Sequence, residues 1–406
     1  MASRSVSKLQ RSAISSAEPV DYCVSSCATR KIGFRIKMTR QNPLEARASS
    51  GFALQSRHMS HIDILLPFGL PSPELAPDLI RQLKTPALAT LLGRAKKEPQ
   101  APEWQSFDGF ANALPHEAWL AQQFGLAGRL AHSGSPPVAL AAMEMFGLKP
   151  DEGVWFILNP VHIHVTRDHL VLMDQRQLPI LEQEARALFA LAEPLFAESH
   201  MALRYGDAHT WFMRADAWAD LRTSTPDAAC GHNIDIWMPK GPFERDWRKL
   251  QNEVQMHWHD HAINQEREMR GQKPINSLWL WGGTPSAMPP AQTRYTAAFN
   301  LPPWMGALGQ TRDMTAAQLI SAAPQQGLLV LDMLVEAALA GDLGLWLEHM
   351  QELELRWFAP LLEALKAGKI HSITLTFNHN KELRRCSLSR MALRQFWLQP
   401  SLNRLL

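Results

Sequence analysis

The stretch that decides the fold prediction runs from residue 274 to residue 283 and reads Pro274-Ile-Asn-Ser-Leu-Trp-Leu-Trp-Gly-Gly283. Residues 276–281 alternate like a β-strand, and Gly282 and Gly283 allow the backbone to turn tightly at its carboxyl end. In open α/β sheets, ligands bind beyond the carboxyl ends of the strands. The stretch therefore predicts either a strand that ends at a ligand site or a buried strand with two core tryptophans.

An amphipathic helix precedes this strand. Side chains recur at steps of three or four residues, and so share one helical face, at Trp247, Leu250, Val254, Trp258 and His261. Gly271 and Pro274 are expected to end the helical region. A helix followed by a strand is the pattern that recurs along most of the chain.

Strands and helices alternate from Met59 onward. Periodicity predicts strands over 61–66, 154–158, 162–165, 170–173, 201–214, 276–281 and 372–377. It predicts helical regions over 74–95, 116–124, 135–146, 180–197 and 314–366. This order indicates an α/β fold with a doubly wound, mostly parallel sheet.

The composition and the distribution of charge argue against one class of function, nucleic-acid binding. Of 406 residues, 46% are hydrophobic and 20% are charged, as is typical of a globular protein in water. Residues 1–58 carry ten Lys and Arg against three Asp and Glu, whereas residues 59–406 carry 31 against 36. A mildly acidic body is a poor binder of polyanions, so we expect no nucleic-acid partner.

Hydropathy and cysteine usage bear on location. The most hydrophobic window, residues 328–347, is interrupted by Asp332, Glu336 and Asp342, which argues against a membrane span and a membrane partner. Cys230 and Cys386 are isolated and lack metal-ligand spacing. We therefore predict a cytoplasmic protein.

Three neighbouring segments carry a family resemblance: His261-Ala-Ile-Asn264-x-x-Arg267, the stretch from Asn276 to Gly283, and Met288-Pro289. Together they resemble the archaeal-type cofactor-independent phosphoglycerate mutases of the alkaline-phosphatase superfamily. The chain from Met59 also resembles the bacterial RpfE-type regulatory proteins. The resemblance implies an alkaline-phosphatase-like α/β fold with an inserted α+β lobe.

The resemblance also implies a domain division. We predict a core formed by residues 59–138 and 276–406, with the inserted lobe at 139–275. Residues 1–58 are interpreted as a basic disordered extension or as the product of a start codon assigned too far upstream.

The catalytic machinery of the mutases is a serine nucleophile and two divalent metal ions held by Asp and His. Ungapped matching places His116, followed by Glu117, where the serine is expected. At the metal-ligand positions it places Leu66-Pro67-Phe68-Gly69, Val335, Leu339 and Phe377-Asn378-His379. Without metals this chemistry loses its main electrostatic support. We therefore predict no cofactor and lean toward a protein that is not an enzyme.

A separate pair of histidines is a candidate for metal binding. His257 and His261 are four residues apart, a spacing used by zinc sites, and Glu253 lies one turn earlier. The alternative is that these histidines are solvated or lie at the edge of the core. We treat them as weak metal candidates.

The part of the family pattern that remains is predicted to bind a ligand, and it consists of Asn264, Arg267, Asn276, Trp279, Trp281, Gly282 and Gly283. A fixed guanidinium such as that of Arg267 binds phosphate or carboxylate bidentately, so an anionic small molecule is the expected ligand. The alternative is structural: Asn276 caps the strand, and Arg267 pairs with Glu266 or Glu268.

Three functional hypotheses follow. The first is a catalytically inactive, phosphoglycerate-mutase-like regulatory or ligand-sensing protein of the RpfE type. The second is an active cofactor-independent phosphoglycerate mutase or phosphatase with rearranged ligands from His116, Glu117, His257 and His261. The third is a protein-interaction scaffold without a small ligand, for which the sequence identifies no protein partner.

Overall fold

The computed structural model describes residues 60–99, 111–126, 134–310 and 313–406, so the prediction for residues 1–58 lies outside the described residues. The strands in these ranges are β1 His61–Leu66, β2 Lys96–Lys97, β3 Val154–Val161, β4 Ile163–Val165, β5 Leu170–Leu172, β6 Ala202–Asp207, β7 Thr210–Arg214, β8 Ser277–Pro285, β9 Ala297–Phe299, β10 Gln326–Val330, β11 Ser372–His379 and β12 Glu382–Ser389.

The α-helices in the described ranges are α1 Ala76–Gln82, α2 Pro86–Arg94, α3 Pro115–Gln123, α4 Ala139–Met145, α5 Glu182–Glu198, α6 Pro226–Ala229, α7 Glu244–His259, α8 Ala262–Met269, α9 Ala316–Ala322, α10 Val335–Ala340, α11 Leu343–Leu353 and α12 Ala359–Ala367. A π-helical segment, Glu354–Phe358, joins α11 to α12. None of the described helices is long and apolar enough to cross a membrane.

The central sheet has six strands in the order β2-β12-β11-β1-β10-β9. Strand β1 pairs in parallel with both β10 and β11, and β9 is parallel to β10, whereas β12 and β2 extend the sheet antiparallel. After His61 every residue of β1 is buried, so both faces of the sheet are covered at its centre, as in α/β proteins. The predicted α/β class with a largely parallel central sheet is confirmed.

Asp63 is the one charged residue inside β1, and its side chain is only 1% exposed. Its carboxylate accepts hydrogen bonds from His61 Nε2 (3.1 Å), Tyr295 (2.7 Å) and Arg294 (2.7 Å). Burial opposes ionisation, but the hydrogen bonds from His61 and Tyr295 outweigh it and lower the pKa of Asp63 to about 2. Asp63 thus fixes the segment around Arg294 to the middle of the sheet.

A second sheet is antiparallel and has the order β6-β7-β3-β8. Strand β8 contains residues 277–283 of the stretch from Pro274 to Gly283, and it pairs with β3 from Ser277 opposite Val161 to Pro285 opposite Val154. The predicted boundary of the lobe at residue 275 would place this strand in the parallel core. Because β8 belongs to the second sheet, that sheet extends past this boundary.

Several predicted elements differ from the observed ones. The helical region 74–95 is two helices, because Pro86 begins α2 and lacks the backbone donor that would continue α1. The strand 201–214 is a hairpin of β6 and β7. The helical region 314–366 contains β10, whose five residues Gln-Gly-Leu-Leu-Val are too few to show strand periodicity.

Candidate functional site

A cavity of about 610 Å³ lies between the carboxyl ends of β1 and β10 and the second sheet. Leu65 and Pro67 line it from β1, and Val330 and Asp332 line it from β10. Depressions of about 730 and 890 Å³ elsewhere on the described surface are more open to solvent. The cavity of about 610 Å³ is the candidate site, because ligands of open α/β sheets bind beyond the carboxyl ends of the strands.

Helix α3 brings His116 and Glu117 into the cavity wall. Pro115 starts the helix at a position where its missing N–H costs nothing, so both side chains fall in the first turn. The Glu117 carboxyl group accepts hydrogen bonds from Leu114 N (2.7 Å) and Thr225 Oγ1 (2.6 Å). The two residues considered only for the enzyme hypothesis therefore lie at the candidate site.

Arg176 lies in a 3₁₀ turn, Gln175–Gln177, and lines the same cavity as Glu117. Its guanidinium binds Asp227 bidentately, with Nη1 and Nη2 donating to the two carboxylate oxygens at 3.0 and 2.6 Å. Nη1 also donates to Asp174 at 2.8 Å. Two carboxylates thus neutralise one cation. No local sequence pattern predicts this cluster, because Arg176 and Asp227 are 51 residues apart and share no motif.

The environment of α3 changes the protonation of both its site residues. Burial, together with the nearby Asp227 carboxylate, raises the pKa of Glu117 to about 8. Burial, together with the Arg176 charge, lowers the pKa of His116 to about 3. At neutral pH the cavity lining therefore includes a protonated carboxyl group and an uncharged imidazole. Among the described residues, His116 Nδ1 has no hydrogen-bond partner.

Tryptophans form the apolar side of the cavity. Trp281 of β8 is 3% exposed, and its Nε1 donates to Asn159 Oδ1 of β3 at 2.6 Å. Trp304 meets it edge to face, with ring centroids 6.1 Å apart and an interplanar angle of 83°. Of the seven predicted ligand-binding residues, Trp281 is the one that lines this cavity.

Asn264 and Asn276 have structural hydrogen bonds away from the cavity. Asn264 Nδ2 donates to the carbonyls of Trp258 and Ile275, and its Oδ1 accepts from Ile275 N at 2.8 Å. Asn276 pairs with both backbone groups of Ile163, at 2.8 and 2.9 Å, in the manner of a β-bridge. The two amides hold the α8–β8 connection against its neighbours.

Arg267 is completely buried in an ion pair. Its Nη1 donates to Glu184 Oε2 at 2.5 Å, and its Nε donates to the Lys273 carbonyl at 2.8 Å. Glu184 lies in the first turn of α5 and also binds Leu181 N, so the pair joins α8 to the start of α5. The prediction that Arg267 pairs with Glu266 or Glu268 is therefore wrong. Arg267 is also not among the residues that line the candidate cavity.

The remaining residues of the predicted set shape the second sheet. Trp279 Nε1 donates to the Ser224 carbonyl at 2.9 Å. Gly282 has φ of +74°, a conformation that favours glycine. A Cβ atom at Gly283 would lie 2.5 Å from the Phe156 ring, so close packing requires glycine there. These three positions support the fold.

The histidine pair does not share a helix. Helix α7 ends at His259, and His261 is the N-cap of α8, where its Nδ1 accepts from Ile263 N at 3.3 Å. His257 is exposed on α7. The prediction of one helical face for these residues is wrong because the chain turns at Asp260. No group of three His, Cys, Asp or Glu suited to a metal ion occurs within the described ranges.

The strand ends to which the resemblance assigns metal ligands do come together. Asn378 at the end of β11 accepts a hydrogen bond from Phe68 N through Oδ1 at 3.2 Å, and its backbone carbonyl accepts from Leu70 N at 3.1 Å. The segment after β1 offers apolar side chains, and Val335 lines the cavity where the family has a ligand. This donor set does not fit two divalent metal ions.

Comparison with known proteins gives partial similarity. No family model matches the sequence. A probable 2,3-bisphosphoglycerate-independent phosphoglycerate mutase of Geobacter sulfurreducens is 26% identical over 163 residues, which are 39% of this chain and 40% of that protein. Phosphoglycerate mutase 2 of Methanothermobacter thermautotrophicus is 31% identical over 80 residues, 19% of this chain and 20% of that protein. The matches thus span less than half the length of these curated relatives.

Two solved structures are also similar. A Pyrococcus horikoshii protein aligns over 82% of this chain and 87% of its own, with 12% identity and a TM-score of 0.49. The cofactor-independent phosphoglycerate mutase of Thermoplasma acidophilum aligns over 82% and 90%, with 15% identity and a TM-score of 0.38. The sequence similarities support a relation to the cofactor-independent phosphoglycerate mutase superfamily.

Proposed function

We propose that the protein is a phosphoglycerate-mutase-like ligand sensor that binds a small molecule in the cavity and does not carry out the metal-dependent phosphoryl transfer of the mutases. The observation that supports this is the hydrogen bond from Phe68 N to Asn378 Oδ1. It lies at the strand ends where the family resemblance implies metal ligands. A neutral amide engaged with a backbone N–H provides no negative charge to hold a divalent ion. A regulatory role of the RpfE type agrees with this proposal.

The cavity itself supports binding. Its volume of about 610 Å³ falls within the range typical of small-molecule sites. It combines an apolar wall, which includes Trp281 and Trp304, with polar groups that converge from α3 and the Arg176 turn. Displaced pKa values such as those of His116 and Glu117 are typical of functional sites.

A second candidate is a phosphotransfer enzyme that uses His116 in place of serine. His116 is the residue at the expected serine position, it lines the cavity, and the low pKa of its buried imidazole keeps the ring neutral. A neutral imidazole nitrogen is a nucleophile. The observation that favours this candidate is the lack of a partner for His116 Nδ1 among the described residues.

The decisive experiment combines a binding screen with an activity assay on the same protein. A thermal-shift screen of metabolites detects binding, because a ligand at a hundredfold excess over Kd stabilises the folded state by about 2.7 kcal/mol. Interconversion of 2- and 3-phosphoglycerate is then measured with Mn²⁺, Mg²⁺ or Zn²⁺. The variants are His116→Ala and, as a control of equal exposure (7%), His162→Ala.

The proposal predicts ligand shifts without turnover. Turnover that His116→Ala abolishes and His162→Ala retains would instead establish the enzyme. If the screen gives no shift and the assay no turnover, the proposal fails and the scaffold hypothesis replaces it.

A further inference from the structure

The charges that line the cavity are mostly acidic. Among the lining residues that the structure describes, Arg176 is the sole Lys or Arg, and it is held by Asp174 and Asp227. Asp332 and Glu336 add two carboxyl groups on the β10 side. An anion entering here would have to displace Asp227 from Arg176 and then face the remaining carboxylates.

Two carboxyl groups, those of Asp332 and Glu336, line the cavity on the β10 side, and Asp332 also borders the neighbouring depression of about 890 Å³. The Asp332 carbonyl accepts from Val335 N at 2.9 Å, and this turn places Glu336 at the start of α10, four residues after Asp332. The Asp332 side chain is exposed, and that of Glu336 is half-buried. A bound cation would favour the ionised forms of both carboxyl groups.

The aromatic part of the cavity lining suits a cation with an apolar portion. Trp281 and Trp304 both line the cavity and pack edge to face on each other, and aromatic rings attract cations as well as apolar groups. His116 is 7% exposed, lines the same cavity, and its Nδ1 has no partner among the described residues. The cavity is therefore a pocket whose lining combines carboxyl groups, aromatic rings and a buried imidazole, and it is more than a patch of surface acids.

We infer that the cavity takes a small organic cation, an amidine, guanidine or amine joined to an apolar or aromatic body. The cationic group lies against Asp332 and Glu336, where a planar amidine can bind a carboxylate bidentately. The apolar portion packs against Trp281 and Trp304. This inference rests on the proposed binding function and names its ligand class, which is opposite in charge to the anion expected from the family resemblance.

The test uses three planar probes of nearly equal shape: benzamidine (cationic), benzamide (neutral) and benzoate (anionic). Isothermal titration calorimetry at fixed ionic strength measures each affinity for the full chain, with 3-phosphoglycerate as a further anion. We expect benzamidine to bind about tenfold more tightly than benzamide, which corresponds to about 1.4 kcal/mol, and benzoate to bind more weakly than both. Benzamidine that binds no better than benzamide overturns the inference.

Variants assign the binding to the carboxyl groups. Asp332→Asn and Glu336→Gln should each reduce benzamidine affinity by about tenfold, the loss of one charge-assisted hydrogen bond. Glu348→Gln, an exposed acid on α11 outside the cavity lining, is the control and should change nothing. If Asp332→Asn and Glu336→Gln fold and bind benzamidine as tightly as the parent does, the inference is also overturned.

Failure of this inference and failure of the proposed function give different results. If benzoate or 3-phosphoglycerate binds in preference to benzamidine, the ligand class is wrong and the sensor proposal stands. If neither these probes nor any metabolite of the thermal-shift screen binds, both fall.

Discussion

The amide of Asn378 ties the end of β11 to the chain that leaves β1. Its Oδ1 accepts from Phe68 N at 3.2 Å, while Phe68 holds a left-handed φ of +55° and its carbonyl accepts from Trp346 Nε1 at 3.0 Å. A non-glycine residue in this conformation needs support from its neighbours. The position that resembles a metal ligand in the mutases thus has a structural role here.

We expect Asn378→Ala to reduce the free energy of unfolding by about 1–3 kcal/mol, because the buried Phe68 N–H would lose its acceptor. Urea denaturation followed by circular dichroism measures the change. Asn252→Ala, at an exposed position of α7, is the control and should stay within about 0.5 kcal/mol of the parent. Equal stability of the two variants would contradict the structural role of Asn378.

Arg267→Lys should destabilise the fold and leave cavity binding unchanged. Lysine retains the charge facing Glu184 but lacks the fork that also reaches the Lys273 carbonyl, so a buried acceptor is left unpaired at a cost of about 1–3 kcal/mol. Arg270→Lys is a matched control, because Arg270 pairs with the same carboxylate but is 45% exposed, and it should cost less than about 1 kcal/mol. Weaker ligand binding at unchanged stability would restore the original ligand-site prediction.

The sequence predicted the centre of the fold well. The run His61–Leu66 matches β1, and α3 begins one residue before the predicted start at 116, because a mostly apolar run and a proline at the first helical position are local signals. Strand β8 was recognised as a strand but assigned to the wrong sheet. Periodicity reports that a segment is extended, and it does not report which strand becomes its partner.

The candidate site was predicted less well. His116 was found by counting positions in the family pattern, whereas the Arg176–Asp227 pair arises from two turns that are distant in sequence. Arg267 matched the family pattern, but burial against Glu184 gave it a structural role. The family pattern therefore identified His116 in the cavity lining. The charged groups of the lining, such as the Arg176–Asp227 pair, result from tertiary packing.

Glu117 makes stability depend on pH in an unusual direction. Its pKa is about 8 in the folded state, above the ordinary value of 4.5, so between these values the folded protein holds a proton that the unfolded chain releases. This contribution is fully present below about pH 4.5, falls progressively as the pH rises above that value, and is lost once the pH has passed about 8. We expect Glu117→Gln to gain stability relative to the parent as the pH increases from 6.5 to about 8, and the difference to level off toward pH 9.

Denaturation midpoints of both proteins across this pH range provide the test. His116, with its pKa lowered to about 3, affects stability below its ordinary value of 6.5 and is common to both proteins. Glu348→Gln is the control for an exposed acid and should run parallel to the parent. A constant difference between Glu117→Gln and the parent would show that Glu117 is ionised in the folded protein throughout.

Two neighbouring tryptophans of β8 separate the binding role from the packing role. Trp281 and Trp279 are each buried and each donate one indole hydrogen bond, to Asn159 Oδ1 and to the Ser224 carbonyl, but Trp281 alone of the two lines the cavity. Replacement of either by Phe keeps most of the aromatic packing and leaves one buried acceptor unpaired. We expect each variant to lose about 1–3 kcal/mol of stability.

Ligand binding should distinguish them. Trp281→Phe removes part of the cavity wall and frees Asn159, so benzamidine affinity should fall several-fold by titration calorimetry, whereas Trp279→Phe should bind as the parent does. Trp281→Ala empties a core position as well and should cost about 3–5 kcal/mol of stability. If Trp279→Phe and Trp281→Phe lose affinity equally, the ligand does not contact Trp281, and the cavity would be the wrong site.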